Sequence, residues 1–288
     1  MLSNPEKPML FHWTRIIALV VVLTAFVLLY LFRRGQTTRR LRQLAKEAEV
    51  SKQQIIVEQQ RNQQLKQEMT NNIAHELKTP VSSIRGYLEI LLSDSPVTED
   101  KRRYFLDRCY QQTLRLSDLI NDVSLINKLV ESSSLFPVEE VMLRTVVDEA
   151  IHDLSDKAAT ARINIENTIA DTVVVEGNKN LLYAIFRNLI ENAVSYAGED
   201  ITVGIECYRE NPDRYYLHFY DTGCGVDNQY MTRIFDRFLR IDSGRSRKNG
   251  GTGLGLSIVK HAVQFHGGDI YAKNRDEGGL EFFFSLKR

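Results

Sequence analysis

Between Ile16 and Phe32 the chain runs 17 residues without a charge, within the ~17–25 apolar residues that cross a bilayer as a helix. Trp13 and Tyr30 stand near its ends, where amphipathic rings favour the membrane interface. The flanks are unequal. Lys7, Arg15 and Glu6 precede the run, whereas Arg33, Arg34, Arg39, Arg40 and Arg42 follow it. The positive-inside bias therefore predicts one transmembrane helix at 15–33, a short N-terminus (1–14) outside, and everything afterwards in the cytoplasm. A cleaved export signal fits less well, because no small-residue cleavage site follows and the run exceeds the usual ~7–15 residues. With so short an N-terminus, no folded domain is expected outside the membrane.

From 34 to 67 the residues are helix-tolerant and free of proline. Leu41, Ala48, Ile55, Asn62 and Met69 recur every seven residues, with Leu44 and Leu65 three after the first and fourth. Ser51 and Glu58 interrupt this seam, so it reads as a marginal coiled-coil connector or as a solvated single helix. A stripe at helical spacing then follows in Ile73, Leu77, Val81, Ile84, Leu88 and Leu91, ending at Ser93–Pro96. A second stripe runs through Phe105, Cys109, Leu116, Leu119, Val123 and Ile126, with Gln112 the polar exception. Two such helices form a hairpin (68–130) that cannot bury both stripes alone. Pairing with a second copy into a four-helix bundle is expected.

Past a short linker (131–137) the texture changes. Strand-like runs at 162–167, 172–176, 201–208, 214–220, 269–274 and 280–286 alternate with helical patterns at 143–158, 180–196 and 254–266. That mixture predicts an α/β sandwich over 138–288, a sheet with helices on one face. The 37 acidic and 37 basic side chains cancel, giving no bias towards nucleic acid. Three widely spaced cysteines, Cys109, Cys207 and Cys224, form no metal pattern and fit a reducing compartment.

Two constellations carry chemistry. The first is Asn71-Asn72-Ile73-Ala74-His75-Glu76-Leu77-Lys78-Thr79-Pro80. His75 lies about 200° round the helix from Ile73, opposite the apolar stripe, so it faces solvent. An ordinary surface histidine remains one reading. The other is a nucleophile: neutral imidazole attacks through one nitrogen while Glu76 holds the proton of the other. Thr79, four residues on, shares the face of His75 and could orient a water. Pro80 cannot donate to the carbonyl of Glu76, so a bend is expected there.

The second constellation is a series of four segments. Asn188 and Asn192 stand at i, i+4 on a helical pattern, with amide oxygens of the kind Mg²⁺ accepts. Asp221-Thr222-Gly223-Cys224-Gly225 follows a strand; its carboxylate could accept from an adenine amino group. Phe235 and Phe238 come next, then Gly250-Gly251-Thr252-Gly253-Leu254-Gly255-Leu256, leading into a helix whose free N–H groups can meet phosphate. Singly, each segment has a plain reading: a surface amide pair, a turn, two core rings. Their order after the histidine segment is hard to assign to chance.

The run from His75 to Pro80, followed by Ile84-Arg85-Gly86, resembles the histidine box of two-component sensor kinases. The four later segments resemble the N, G1, F and G2 boxes of that family's ATP-binding domain, a fold shared with gyrase, Hsp90 and MutL. The resemblance covers roughly 68–288. It implies a histidine kinase of the bacterial inner membrane, a homodimer using ATP and Mg²⁺, with a cognate response regulator on a separate chain. It implies His75 as phosphoacceptor, Glu76 as its activating base, and Thr79 as the residue that helps dephosphorylate the partner. Asn192 would ligate Mg²⁺ and Asp221 would read adenine. Asn188, Tyr196, Gly223, Gly225, Phe238, Gly251, Thr252, Gly253, Leu254 and Gly255 would line the nucleotide and its lid, 239–250. Of the lid cations Arg240, Arg245, Arg247 and Lys248, Arg240 is favoured to offset γ-phosphate charge.

The related ATPases carry a water-activating glutamate four residues before the Mg-binding asparagine. Here that position is Asn188, and Glu191 points elsewhere, which argues against a hydrolysing ATPase. Ser195 and Ala197 depart from the basic and hydroxyl residues common in the family, which bears on nucleotide affinity. A silent scaffold of the same architecture predicts losses in these segments, and none is present.

Overall fold

The computed structural model describes the backbone of residues 7–93, 97–131, 136–241 and 251–288. The chain divides into two units, Met1–Glu68 and Met69–Arg288. Helix α1 (Lys7–Leu92) supplies the described part of the first unit. Residues 19–32 are helical and exposed, although among the described residues no helix is long and apolar enough to cross a membrane. The side chains of 15–18, which open the expected span, lie outside the described set, as do those of Leu41, Leu44 and Ala48 in the connector seam. Ile55 of that seam is exposed.

The second unit begins with the last turns of α1, which continue through Pro80 to Leu92. Helix α2 (Glu99–Glu131) follows and carries Leu119 and Ile126 on its buried side. Cys109 Sγ on α2 reaches the carbonyl of Ile84 on α1, and Phe105 stacks on Tyr87 at 5.6 Å, so the two expected stripes meet. The tip of the hairpin, 94–96, lies outside the described residues.

The rest is a sheet under helices. Strand β1 (Glu139–Met142) pairs antiparallel with β3 (Val174–Gly177). Five more strands lie in the order β2-β4-β5-β7-β6. They are β2 (Asn164–Asn167), β4 (Thr202–Glu210), β5 (Arg214–Asp221), β6 (Ile270–Asn274) and β7 (Leu280–Lys287). Only β2–β4 is parallel. Alternation along β5 sends Tyr215, Leu217, Phe219 and Asp221 to the covered face. Tyr216, His218 and Tyr220 face outward, where His218 stacks on Phe283 between Glu206 and Glu281.

Helices α3 (Leu143–Asp153), α5 (Lys179–Tyr196) and α7 (Gly255–Phe265) bury their apolar sides in the core of this unit. The helical pattern expected at 143–158 is broken at Leu154, where α3 ends and α4 (Ser155–Thr160) starts. A short α6 (Asn228–Met231) precedes the phenylalanine segment.

Helices α5 and α7 run antiparallel and are pinned at their ends by polar groups. Buried Asn178 caps α5 by accepting from Leu181 N–H at 3.1 Å and donates to the carbonyl of Pro137. Its own N–H donates to His266 Nε2 at 3.1 Å, while His266 Nδ1 lies 2.7 Å from the carbonyl of Ala262. That pair of partners requires the neutral Nδ1–H tautomer. Ten residues along α5, Asn188 lies against Gly255 at the start of α7; a Cβ there would sit 2.6 Å from Asn188 Oδ1. Any larger residue would displace the Asn188 side chain.

Burial holds the His266 pKa below its ordinary 6.5. The unfolded chain therefore takes up a proton that the folded chain refuses, and stability is lost as pH falls below about 6.5. Urea midpoints should drop between pH 7.5 and 5.5 in the unsubstituted chain, with a shallower drop in His266→Gln. Equal slopes would mean that His266 is not responsible.

Candidate functional site

His75 stands on α1 with its side chain 80% exposed, so it faces solvent. Its Nδ1 lies 3.9 Å from Glu76 Oε1, beyond hydrogen-bond range but close enough for a proton to pass through one water. Glu76 itself is only 18% exposed, and two guanidinium groups hold it. Arg240 Nη1 lies 3.3 Å from Oε2 and 3.5 Å from Oε1, and Arg115 Nη2 of α2 lies 3.6 Å from Oε2. Burial, and then the like charge of Arg240, lower the Arg115 pKa, with Glu76 opposing. Thr79 Oγ donates to the carbonyl of His75 at 3.3 Å. That back-bond fixes the hydroxyl one turn above the histidine and leaves its oxygen free to accept.

His75 and Glu76 form one wall of a cavity of about 390 Å³; Arg233, Arg237, Phe238 and Arg240 form another. Sequence reasoning brought Glu76, Arg240 and Phe238 to the site. It did not find Arg115 or Arg237, whose importance appears only from what they touch.

The nucleotide segments gather at the adjoining ends of α5, β5 and α7. Asp221 closes β5 and is buried, and its Oδ1 accepts from Gly223 N–H at 2.9 Å and Leu280 N–H at 3.3 Å. Burial pushes the Asp221 pKa up, while those two N–H groups and Arg275 draw it back. Among the described residues Oδ2 accepts no hydrogen bond. Gly223 packs so tightly on α5 that a Cβ would lie 2.2 Å from the carbonyl of Ala197. Gly225 continues the turn beside Asn274.

On α5, Asn188 Nδ2 donates to the carbonyl of Ala184 at 2.7 Å, and its Oδ1 lies beside Gly255. Asn192, one turn later, is half-buried. Glu191 is engaged by Lys157 at 3.0 Å and Arg187 at 3.6 Å, away from the Asn face. Tyr196 closes the helix; burial raises its phenol pKa, and Arg240 and Arg115 oppose the rise. Hard oxygen donors of the Asn192 type suit Mg²⁺, and an unspent carboxylate oxygen above a glycine turn suits an adenine amino group.

Phe238 has φ 62°, a left-handed backbone rare for a bulky residue, and its N–H donates to the carbonyl of Gly253 at 2.8 Å. This ties the phenylalanine segment to the glycine segment. Residues 242–250, including Arg245, Arg247, Lys248 and Gly250, lie outside the described residues. Gly251 lies against the Tyr196 hydroxyl.

The described part of the glycine segment is seated on the hairpin. Leu254 is fully buried with Leu119, Ile126 and Ile258. Thr252 Oγ donates to Asp122 Oδ2 of α2 at 2.9 Å and accepts from Leu254 N–H. Asp122 is a third residue that sequence reasoning passed over, although a signal existed. It stands three after Leu119 and four before Ile126, an acid on an apolar stripe.

Burial pushes the Asp122 pKa up to about 6, against the hydrogen bond from Thr252 and the charge of Arg187. A carboxyl raised above its ordinary 3.8 supports docking fully below pH 4 and loses that support as pH rises through 6. Amide exchange of Leu254 and Leu256, corrected for intrinsic rates, should therefore show weaker protection at pH 8 than at pH 5. Asp122→Asn should remove the difference; its persistence would exclude Asp122 as the cause.

Two family models match the chain. "His Kinase A (phospho-acceptor) domain" covers 65–131, and "Histidine kinase-, DNA gyrase B-, and HSP90-like ATPase" covers 177–288. The sensor protein kinase WalK of Staphylococcus aureus is 32% identical over 235 residues. That alignment takes in 80% of this chain but only 38% or 56% of the WalK proteins, so the chain spans about half their length or less. Among solved structures, the Acinetobacter baumannii histidine kinase AdeS aligns with 74% of this chain and 97% of its own, at 20% identity and TM-score 0.60. Histidine kinase ThkA, in complex with the response regulator protein TrrA, aligns with 76% of this chain and 61% of its own, at 22% identity and TM-score 0.59. Both share the fold. With the phosphoacceptor hairpin and the ATPase sandwich matched in order along one chain, this protein belongs to the two-component sensor histidine kinases.

Proposed function

We propose that the chain is an ATP-dependent protein-histidine kinase that phosphorylates His75 and passes the group to an aspartate of a response regulator. One observation supports this most. Exposed His75 lines the same cavity as Arg240, whose guanidinium holds the neighbouring carboxylate and whose segment leads on to the glycine-rich start of α7.

When bound, Mg-ATP supplies the phosphoryl group. Asp221 Oδ2 would accept from the adenine amino group, Asn192 would hold the metal, and Gly223 and Gly225 would admit the base. Gly251, Thr252, Gly253, Leu254 and Gly255 would line the phosphates. Arg240 offsets charge at the terminal phosphate. Glu76 takes the imidazole proton, directly or through a water, so that neutral His75 attacks. With Glu191 held by Lys157 and Arg187, no carboxylate on the Asn face of α5 is free to activate water. Asn188, beside Gly255 on that face, would line the nucleotide together with Tyr196 and Phe238.

The response-regulator partner is proposed from the family and from the ThkA–TrrA complex. Dimerisation through the hairpin follows from the exposed apolar residues that α1 and α2 retain, among them Val81, Leu88, Leu106 and Leu114. A single-pass membrane anchor at 15–33 is proposed on charge asymmetry and on exposed apolar residues 19–32. Thr79 is proposed to place a water for dephosphorylation of the regulator.

His75→Gln should abolish acid-labile incorporation of γ-phosphate from ATP; label of normal intensity would sink the kinase reading. Thr79→Ala should leave that label within about twofold and slow regulator dephosphorylation by about a hundredfold, the lower end of what one positioned catalytic group supplies. Regulator dephosphorylation at the unsubstituted rate would remove Thr79 from the mechanism.

A further inference from the structure

The cavity beside His75 holds more positive charge than the kinase reading uses. Its described walls carry three arginines, Arg233, Arg237 and Arg240, against one carboxylate, Glu76. Glu76 is already matched by Arg240 and by Arg115. Arg233 pairs through Nε with Asp236 at 3.0 Å and is otherwise exposed. Arg237 differs from both. It is half-buried, and its guanidinium meets Met69 Sδ at 3.2 Å and His261 Nε2 at 3.0 Å, neither of them an anion. Among the described residues no carboxylate pairs with it. Burial alone lowers its pKa, and burial, then Arg237 itself, lower that of His261. His261 therefore stays a neutral acceptor that aims the guanidinium without cancelling its charge.

Holding a guanidinium out of water without a counter-charge is costly. The cost is recovered where an anion arrives, and the group that shares this cavity is His75. Phosphorylation forms a P–N bond as the terminal P–O bond of the nucleotide breaks; the ring gives up its proton, ADP departs, and the imidazole then carries a dianionic phosphoryl group. We propose that this cavity is a phosphoryl-oxyanion site, in which Arg237, with Arg233 at the rim, holds the group carried by His75. The proposal rests on His75 being the phosphoacceptor. It assigns Arg237 to the product, where Arg240 serves the transfer.

The same chemistry could come from the nucleotide's terminal phosphate, so the test separates the two. The full chain is phosphorylated with Mg-ATP, freed of nucleotide, and titrated by phosphorus NMR. In Arg237→Gln the second ionisation of the phosphohistidine should move up by about one pH unit, the least expected on losing an opposite charge at contact range. Arg237→Lys should move it less. An unchanged titration in Arg237→Gln would overturn the proposal. So would unchanged phosphohistidine accompanied by a selective loss of ATP over ADP affinity, which would give the pocket to the nucleotide. If Arg237→Gln fails to fold, Arg233→Gln, at a side chain 63% exposed, carries the test: a smaller upward shift supports the site, and none overturns it. Absence of acid-labile phosphorus in the unsubstituted chain would overturn the kinase reading and this inference together, whereas a normal label with an unmoved titration overturns this inference alone.

Discussion

Everything at the site hangs on how α5 and α7 are held against each other. The start of α5 is tied to the end of α7 through Asn178 and His266, and the start of α7 meets the middle of α5 through Gly255 and Asn188. With the two helices tied at the start of α5 and closely apposed at its middle, the Asn192 face and the glycine segment are placed together. Polar groups do this work inside an apolar layer, which makes the arrangement specific: an apolar pair at the same places would bury area without fixing register.

Much of that layer was legible in the sequence because it is written in local periodicity. The pattern at 180–196 becomes α5, and the alternating run at 214–220 becomes β5. What escaped has a common cause. Strand β1 carries two exposed glutamates and one buried valine in four residues, so its identity comes from pairing with β3 some thirty residues away. The break at Leu154 likewise reflects packing, since nothing in the composition there stops a helix.

The site divides in the same way. His75, Glu76 and the glycine segment stand out by residue type and offset. Arg115, Asp122 and Arg237 do not, because an arginine or aspartate on a helix is ordinarily a solvated charge, and only the partner across the contact makes it otherwise. Asp122 was the nearest to readable: an acid on a stripe that must be buried asks for a partner, and Thr252 answers it. Asn188 is of the first kind: its spacing from Asn192 singles it out, and its Nδ2 donates to the carbonyl of Ala184 one turn back.

Leu254 belongs to two structures at once. It is a residue of the glycine segment and a core residue of the hairpin's contact with α7, packed on Leu119 and Ile126. A ligand that rearranges the segment must therefore unpack part of that contact, and a signal that twists α2 must disturb the segment. Thermodynamic linkage makes the two effects equal: by whatever factor an altered hairpin changes ligand affinity, the ligand changes the hairpin's preference for that altered state by the same factor. Whatever displaces this one buried leucine acts on the hairpin and on the glycine segment together.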